Sequence, residues 1–458
     1  MGFKYGSKVT QAKLSSYKEM INIFITEEIS SLNKGEAAIL KGMLASFKEL
    51  GDVKVSMVSF NPKDDAFRYG SKIKIIPFIF DSLHHQSKII ITIKGLIFTL
   101  EYTLFCLLYR ILGSTVVRFM KADIWKVYNE SDILICGHDG LLEDLEDRSF
   151  RSRFNKNITF ISSFYYIILA KLFLRKKIVI YGGSIGRFKN KLIEILAKIA
   201  LNKVDLITLR EKLSYDYLSE LGIEGPKRYV TADLAFSVKP TPIKRAREIL
   251  LKENISTIGR KLIGLSVSTE LYRFTLPYIE DLKYKYKKYI QLKAKVIDYL
   301  IKELNVNIIL IPHAIKRKKD DRIVAKDIYN NVINKDRVKL ILNEYSPEEL
   351  KSIIGICDLF IGERTHSNIA AISMSVPTIV ISEPNSHRNR GIFNEIISER
   401  AICDINELDL DKSIEIINYV WGNKDKIKRK LKNKMKILRK KALYNGVLLK
   451  EVLSNTNR

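Results

Sequence analysis

The sequence predicts an α/β protein built from two Rossmann-like halves. Short, uninterrupted apolar runs alternate with helix-compatible segments, a pattern typical of parallel strands that are buried on both faces. The chain has 458 residues, more than one ordinary domain needs, and 46% of them are hydrophobic, so two full cores can form. Residues 240–260, with two prolines and many charges, divide the runs into two series. We therefore expect an N-terminal domain at 1–240 and a C-terminal domain at 241–423 facing each other across a cleft, then a basic helix at 424–458.

The first series begins with a strand at residues 21–26, a polar turn at Asn33 and a helix at 37–50. Further strands are predicted at 53–60, 132–137, 177–181 and 205–209. The last three run into polar or glycine-rich residues. Because open α/β sheets bind ligands beyond the carboxyl ends of their strands, these residues are candidates for a site.

Four positions of this half carry the candidate chemistry, and each has a structural alternative. Asp139, after His138 at a strand end, could accept a hydrogen bond from a sugar hydroxyl or cap a following helix. Asn33 has the same two interpretations. Arg210 ends a strand and could contact an oxyanion or form a salt bridge, and Asp233 could face the cleft or support the fold.

A glycine-rich stretch at residues 182–186 includes Ser184 and is predicted to lie between a strand and a helix. Glycine lets the backbone approach a ligand, and the amides of a helix N-terminus favour an anion. A tight turn that binds nothing is the alternative interpretation.

The second series has strands at residues 262–267, 306–311, 338–342, 359–361 and 376–381, and Ile402 is expected to complete the sheet. Arg364 and His366 follow the fourth strand, and His313 follows the second. Arginine offers a fixed fork for carboxylate or phosphate, and histidine moves protons near neutral pH. These residues predict chemistry on a small anion, with further cationic donors at 387–391.

Two apolar helices raise the question of a membrane. Residues 89–112 are about long enough to span a bilayer, but Lys94, Glu101 and Arg110 interrupt them, so a buried or interfacial helix is favoured over a span. Residues 160–174 are predicted to be too short to span and to form a core helix. The N-terminal 20 residues have no apolar core of a secretory signal, so we expect a cytoplasmic protein.

The formal net charge of +27 fits either a solvated, lysine-rich surface or a binding surface. Residues 424–441 form an amphipathic pattern with lysine and arginine on the polar side, which could lie on the inner face of an anionic membrane or pack on a domain. Nucleic acid is not expected as a partner, because no recognised motif supports it. The four cysteines are widely spaced and lack metal-ligand spacing, so we expect reduced thiols and no metal.

The ordered set of motifs resembles the polysaccharide pyruvyl transferase family. The resemblance covers about residues 33–391. It consists of the Asn33–Glu36 turn, the stretch from Gly137 to Leu142, the glycine-rich stretch at 182–186, Arg210-Glu211 with Ser214, Leu218, Leu221 and Gly222, the stretch from Thr231 to Phe236, and the stretch from Pro347 to Pro377 around Arg364 and His366. This chain has His138 and Asp139 where the family has glycines, Arg187 where it has proline, and Thr365 where it has leucine.

The resemblance implies a GT-B-like fold and transfer of pyruvate from phosphoenolpyruvate onto two hydroxyls of a cell-surface polysaccharide or its precursor, forming a ketal. It implies no metal and no cofactor besides this donor substrate. It places Arg210 and Arg364 on the donor. We expect Thr365, His366 and His313 to join them, with Arg364 and His366 as catalytic residues and His366 as acid or base. The acceptor, a glycan or lipid-linked saccharide, is expected to contact Asp139, His138, Ser184, Asn33 and Asp233.

Two other functions stay open from the sequence. A GT-B glycosyltransferase that uses a nucleotide sugar would have the same two-domain shape, although the second half shows no clear diphosphate loop. A membrane-bound scaffold without catalysis would tolerate the loss of Arg364 and His366.

Overall fold

The computed structural model describes residues 20–78, 88–142, 150–255, 259–316 and 319–454. It confirms the predicted fold class, with two parallel sheets in two α/β halves. The predictions about a secretory signal lie outside the described residues, apart from Met20.

The N-terminal sheet has the strand order β3-β2-β1-β4-β6-β7-β8, with β5 beside β6. Its continuous apolar strands are covered by helices on both faces, as expected for a parallel sheet. The strands are β1 (Ile21–Ile25), β2 (Val53–Ser59), β3 (Lys74–Pro77), β4 (Ile133–Ile135), β5 (Asp139–Leu142), β6 (Lys177–Ile185), β7 (Leu206–Leu209) and β8 (Lys227–Val230). The helices are α1 (Lys34–Ser46), α2 (Pro62–Tyr69), α3 (Lys88–Leu112), α4 (Asp123–Glu130), α5 (Phe150–Leu169), α6 (Lys191–Leu201) and α7 (Lys212–Glu220).

The C-terminal sheet has the order β13-β10-β9-β14-β15-β16, and β11 pairs with β12 in a small hairpin. Its strands and the hairpin are β9 (Leu262–Ser266), β10 (Asn307–Leu310), β11 (Ile315–Lys316), β12 (Lys319–Asp320), β13 (Val338–Leu340), β14 (Leu359–Gly362), β15 (Thr378–Ser382) and β16 (Ile402–Asp404). The helices are α8 (Ile243–Lys252), α9 (Leu282–Leu304), α10 (Asp321–Asn331), α11 (Pro347–Ile354), α12 (Thr365–Ser373), α13 (His387–Phe393), α14 (Leu410–Gly422) and α15 (Lys424–Ser454).

The first turn of α1 joins the two halves. The backbone N–H of Lys34 donates to the carbonyl of His313 over 2.8 Å, and the N–H of Ile315 donates to Leu32 over 3.0 Å. The buried ammonium of Lys34 also pairs with Glu344 at 2.6 Å. The carboxyl edges of both sheets are thereby held against one another.

The C-terminal helix α15 crosses back onto the N-terminal half. Leu431, Met435 and Ala442 pack into the core of the C-terminal half, whereas Leu448 and Leu449 pack into that of the N-terminal half. Most of the apolar side of this basic helix is therefore buried against the two halves. This agrees with the alternative in which the helix packs on a domain.

The glycine-rich stretch at residues 182–186 differs from its prediction. β6 continues through Gly182 to Ile185, and α6 begins only at Lys191, so no helix N-terminus lies here. Gly182 has φ +63°, and a Cβ there would lie 2.8 Å from Cδ1 of Leu234. The glycine therefore permits close packing of the strand against the short 3-10 helix at Leu234–Ser237.

The second apolar helix also differs from its prediction. α5 begins at Phe150, before the predicted range of 160–174, and is followed without a break by a π turn, Ala170–Leu174. By length and composition alone, two helices of the described chain could cross a membrane, Ile93–Phe119 and Lys156–Leu174. The second is not an enclosed core helix, because Ile158, Ile161 and Leu172 are exposed.

We expect Gly446→Ala to destabilise the docking of α15. A Cβ at Gly446 would lie 2.0 Å from the carbonyl oxygen of Ser46, and backbone at this distance cannot move aside cheaply. Such overpacking costs about 1–3 kcal/mol, so the melting temperature in a thermal scan should fall by several degrees. Gly422→Ala is the matched control, since a Cβ there has nothing within 4 Å. Equal melting temperatures for the two variants would contradict this packing.

Candidate active site

The candidate site is centred on Arg210, which directly follows β7 at the carboxyl edge of the N-terminal sheet. Its Nη1 lies 2.7 Å from Oδ1 of Asp139 and 2.7 Å from Oδ2 of Asp233. Its Nε donates to the hydroxyl of Ser184 over 2.7 Å. All four residues were predicted from the sequence as site residues, and the structure brings them into one cluster.

The two aspartates lie in different local structures. Asp139, with φ +49°, is the first residue of β5, so it does not cap a helix and that predicted alternative is wrong. Asp233 accepts a hydrogen bond from the N–H of Ala235 over 2.8 Å and so caps the 3-10 helix that follows.

His366 reaches the same carboxylates from the other half of the protein. It lies in the first turn of α12, with Nε2 3.6 Å from Oδ2 of Asp233 and 3.8 Å from Oδ1 of Asp139. Its ring packs on Gly35, where a Cβ would lie 2.5 Å from Nδ1 of the imidazole. The glycine at the first turn of α1 is therefore required for the histidine to enter the cluster.

The two carboxylates remain ionised. Burial alone would raise the pKa of Asp139, but the positive charges of Arg210 and of His366 outweigh it and hold this pKa well below its usual range. Burial likewise opposes ionisation of Asp233, and its contacts with His366 and Arg210 lower its pKa instead. An arginine and an imidazole therefore share two negative charges in a buried setting.

Three nitrogen atoms in or beside this cluster are buried without a hydrogen-bond partner among the described residues. They are Nη2 of Arg210, Nε2 of His366 and Nδ1 of His138, the last of which lies 3.6 Å from Oε2 of Glu27. Buried polar groups are normally satisfied, so such a group asks for an explanation. A bound ligand with oxygen atoms would satisfy them.

Arg364 makes a separate pairing within the C-terminal half. Its Nη2 and Nε donate to the two carboxylate oxygens of Asp321 over 2.6 and 3.2 Å. The same buried carboxylate accepts from the N–H of Ala314 over 2.8 Å. Arg364 is thus engaged by its own domain.

The remaining predicted residues lie around this pair. Burial, together with the charges of Arg364 and His366, lowers the pKa of His313 to about 3, so its imidazole stays neutral. The hydroxyl of Thr365 donates to the side-chain oxygen of Asn389 over 2.8 Å. Asn33 caps α1, accepting from the N–H of Gly35 over 3.1 Å, and of its two interpretations the structure shows the cap.

The sequence analysis noted Arg388 only among the cationic donors at 387–391, and it gave Glu27 no role. The charge of Arg388 acts on both Asp139 and Arg210. The signal was present, because Arg388 follows β15 as Arg364 follows β14, within the stretch noted for cationic donors. Glu27, just beyond β1, accepts from the N–H of Gly137 over 2.8 Å, and no motif marks it.

The described residues contain no group of three or more His, Cys, Asp or Glu side chains arranged to hold a metal ion.

The site combines motif residues from both halves of the chain, and one protein family matches the range that contains these motifs. The family described as Polysaccharide pyruvyl transferase matches residues 33–385. The chain belongs to the polysaccharide pyruvyl transferase family.

Similar proteins agree with this placement. The amylovoran biosynthesis protein AmsJ of Erwinia amylovora is 24% identical over 266 residues, which cover 57% of this chain and 62% of AmsJ. Among solved structures, sucrose-phosphate synthase from Thermosynechococcus elongatus superposes with a TM-score of 0.55 at 10% identity, covering 95% of this chain and all of its own. UDP-GlcNAc 2-epimerase from Neisseria meningitidis gives 0.54 at 12% identity, with 95% and 100% coverage. The fold is therefore GT-B, as predicted.

The family's Arg-Asp/Glu-x-x-Ser motif has a structural explanation here. Glu211 caps α7 by accepting from the backbone N–H of Ser214 over 2.6 Å and from its hydroxyl. The motif thus fixes the helix that begins directly after Arg210. Burial raises the pKa of Glu211 to about 7.

The raised pKa predicts a pH-dependent difference between wild type and Glu211→Gln. Between the ordinary pKa of about 4.5 and the folded value of about 7, the folded state binds more protons, so wild-type stability falls as pH rises through this window. Glutamine keeps an acceptor for Ser214 but does not titrate. The variant's melting temperature should therefore gain on wild type from pH 4.5 to pH 7 and level off above, with on the order of 3 kcal/mol at stake. A difference that stays constant with pH, or an equal trend in the exposed control Glu224→Gln, would contradict this burial.

Proposed function

We propose that this enzyme transfers pyruvate from phosphoenolpyruvate onto two hydroxyls of a saccharide and forms a cyclic ketal. The observation that carries the proposal is the buried cluster in which Arg210 and His366 meet two ionised aspartates, while Nη2 of Arg210 and Nε2 of His366 have no hydrogen-bond partner among the described residues. Family membership supports pyruvate as the group that is transferred. The donor, the two acceptor hydroxyls and the proton transfer are proposed from these residues.

The anionic groups of phosphoenolpyruvate can accept hydrogen bonds from Nη2 of Arg210 and Nε2 of His366, which have no hydrogen-bond partner among the described residues. Phosphoenolpyruvate carries a carboxylate and a phosphate, and arginine binds such groups through charge-assisted hydrogen bonds. Arg210 is held rigid by Asp139, Asp233 and Ser184, so its Nη2 points to one place without further loss of side-chain freedom. Arg388 adds positive charge beside it, which offsets the two aspartates.

The reaction balances with one proton at each of two places. The two acceptor oxygens form bonds to C2 of the donor, the bond from C2 to the phosphate oxygen breaks, and C3 changes from methylene to methyl. Of the two hydroxyl protons, one goes to C3 and the other leaves with inorganic phosphate. His366 is the group that can move a proton at Nε2, as general acid or base.

The contacts reduce the set of residues that we propose to bind the acceptor. Ser184 and Asp233 bind Arg210, and Asn33 caps α1. Asp139 also pairs with Arg210, but it and His138 line a large cavity next to Glu27. The other three residues do not line this cavity. The two positions where this chain departs from the family's glycines therefore become the proposed contacts for the acceptor's hydroxyls.

His366→Gln should lower the rate of acceptor-dependent phosphate release from phosphoenolpyruvate at least about 100-fold. Glutamine retains a hydrogen-bond donor but cannot exchange a proton, and proton transfer contributes factors of about 10²–10⁴. The measurement is phosphate release with and without a glycan acceptor prepared from the producing cell. His387→Gln is the control, because this second histidine is half-buried outside the cluster. Full activity in His366→Gln, or transfer from a UDP-sugar without phosphoenolpyruvate, would contradict the proposal.

Two variants distinguish whether Arg364 supports the start of α12 or binds the donor. Arg364→Gln leaves the buried carboxylate of Asp321 without its cation, a change that costs about 3–5 kcal/mol, so the melting temperature should drop sharply. The double variant Arg364→Gln/Asp321→Asn removes both charges and should recover much of the loss. If Arg364 only supports the start of α12, the recovered double variant binds phosphoenolpyruvate like wild type in calorimetry. A tenfold or greater loss of affinity despite recovered stability would show that Arg364 binds the donor, as the family resemblance implies.

A further inference from the structure

An apolar surface covers the outer side of three helices in the N-terminal half. On α3 the exposed positions repeat at helical spacing, and Leu100 is 71% and Ile111 78% accessible to solvent. The outer-face residues are Ile93, Leu96, Ile97, Leu100, Leu104, Leu107 and Ile111 on α3, Ile158, Ile161 and Leu172 on α5 with its π turn, and Leu192, Ile195 and Ile199 on α6. We call this set the outer apolar face.

The opposite side of α3 is anchored in the protein core. Phe98, Tyr102 and Phe105 are buried against Trp125, and Thr99 bonds to the hydroxyl of Tyr166 on α5. α5 in turn packs against α6. The three helices therefore form one layer over the sheet, and the outer apolar face is what this layer shows to its surroundings.

Positive charge surrounds this face. In residues 93–130 and 156–201, lysines and arginines outnumber aspartates and glutamates fourteen to four. Exposed examples lie at or beyond the ends of the helices, including Arg118, Lys121, Arg175 and Lys191. An apolar surface of this extent is unusual on a protein that meets only water, and a basic surround complements anionic lipid headgroups.

A cavity of about 800 Å³ opens between α3 and α5 and reaches the candidate site. Among the lining residues that α3 and α5 contribute are the apolar and aromatic side chains of Leu96, Phe98, Ile158 and Tyr166. The carboxyl ends of the strands and α1 contribute polar side chains, among them Glu27, Glu28, Glu36, His138 and Asp139. A ligand with a polyhydroxyl head and an apolar chain matches this division.

We propose that the outer apolar face lies on an anionic lipid bilayer, and that the cavity between α3 and α5 takes an acceptor's apolar chain from that bilayer while its saccharide meets Asp139. The cavity part rests on the proposed function, because it describes the acceptor. The docking part does not, because it follows from the surface alone.

The packing favours a helix layer that lies on the membrane over helices that span it. Spanning would pull Phe98, Tyr102 and Phe105 out of the core that they share with Trp125. The inner side of these helices is already packed on the protein, so their exposed apolar side can enter the headgroup boundary in the interface plane while the basic residues at its edges meet the headgroups. α15 is the less suitable membrane contact, because most of its apolar side is already packed.

Vesicle co-sedimentation of the full chain tests the docking. Wild type should sediment with vesicles of phosphatidylcholine and phosphatidylglycerol, and less with phosphatidylcholine alone or in high salt. Leu100→Glu/Leu104→Glu should lower the partition coefficient at least tenfold, and Arg118→Glu should weaken binding only to the anionic vesicles. Leu251→Glu in the C-terminal half is the matched control, since Leu251 is 74% exposed.

Three results would overturn the docking: no vesicle binding by wild type, unchanged binding by the Leu100/Leu104 variant with a native melting curve, or equal loss in Leu251→Glu. Sedimentation velocity without lipid tests whether a second copy of this chain binds the outer apolar face instead. A wild-type dimer that becomes monomeric in the Leu100/Leu104 variant, without vesicle binding, would assign the face to a second copy of this chain.

Dodecyl maltoside below its micelle concentration is the probe for the cavity. Gly95 lines the cavity and has open space at its Cβ position, so Gly95→Leu should fill the mouth without a clash and weaken binding of this probe at least tenfold in calorimetry. Gly422→Leu, also in open space, should bind like wild type. Equal affinity in the two variants would overturn the cavity assignment. Since neither experiment uses phosphoenolpyruvate, vesicle and probe binding without pyruvyl transfer would instead reject the proposed reaction.

Discussion

Arg210 shares one guanidinium nitrogen between Asp139 and Asp233, with both contacts at 2.7 Å, and these carboxylates also fix the position of His366 from the opposite half. Buried charges are costly unless each is paired. The cluster therefore stays intact only if both sheets present their carboxyl edges together. The first turn of α1 supplies that alignment, because it bonds to the C-terminal half and leaves room for the imidazole at Gly35.

Sequence patterns predicted most of the fold because parallel strands are buried on both faces and read as continuous apolar runs. The exceptions have local causes. The stretch at 182–186 looked like a turn since glycine usually ends a strand, yet here it lets the strand pass close to Leu234. The partner of Arg364 could not be predicted, because Asp321 begins α10, far away in sequence and in no recognisable motif.

The site residues show the same division. Arg210, Asp233 and His366 lie in ordered motifs and were predicted, but their mutual contacts depend on how two separate sheets meet. Arg388 influences the cluster from the stretch noted for cationic donors, whereas Glu27 lies in no recognised motif. Motif residues such as Asn33 and Glu211 prove to be helix caps, so part of the family signature preserves geometry while other residues meet the substrate.

A crystal structure of the protein with phosphoenolpyruvate would show which atoms bind the donor. We expect the donor in the cleft between the halves, with its oxygen atoms in hydrogen-bond contact with Nη2 of Arg210 and Nε2 of His366. Donor density at another place, with neither nitrogen in contact with it, would contradict the proposed site.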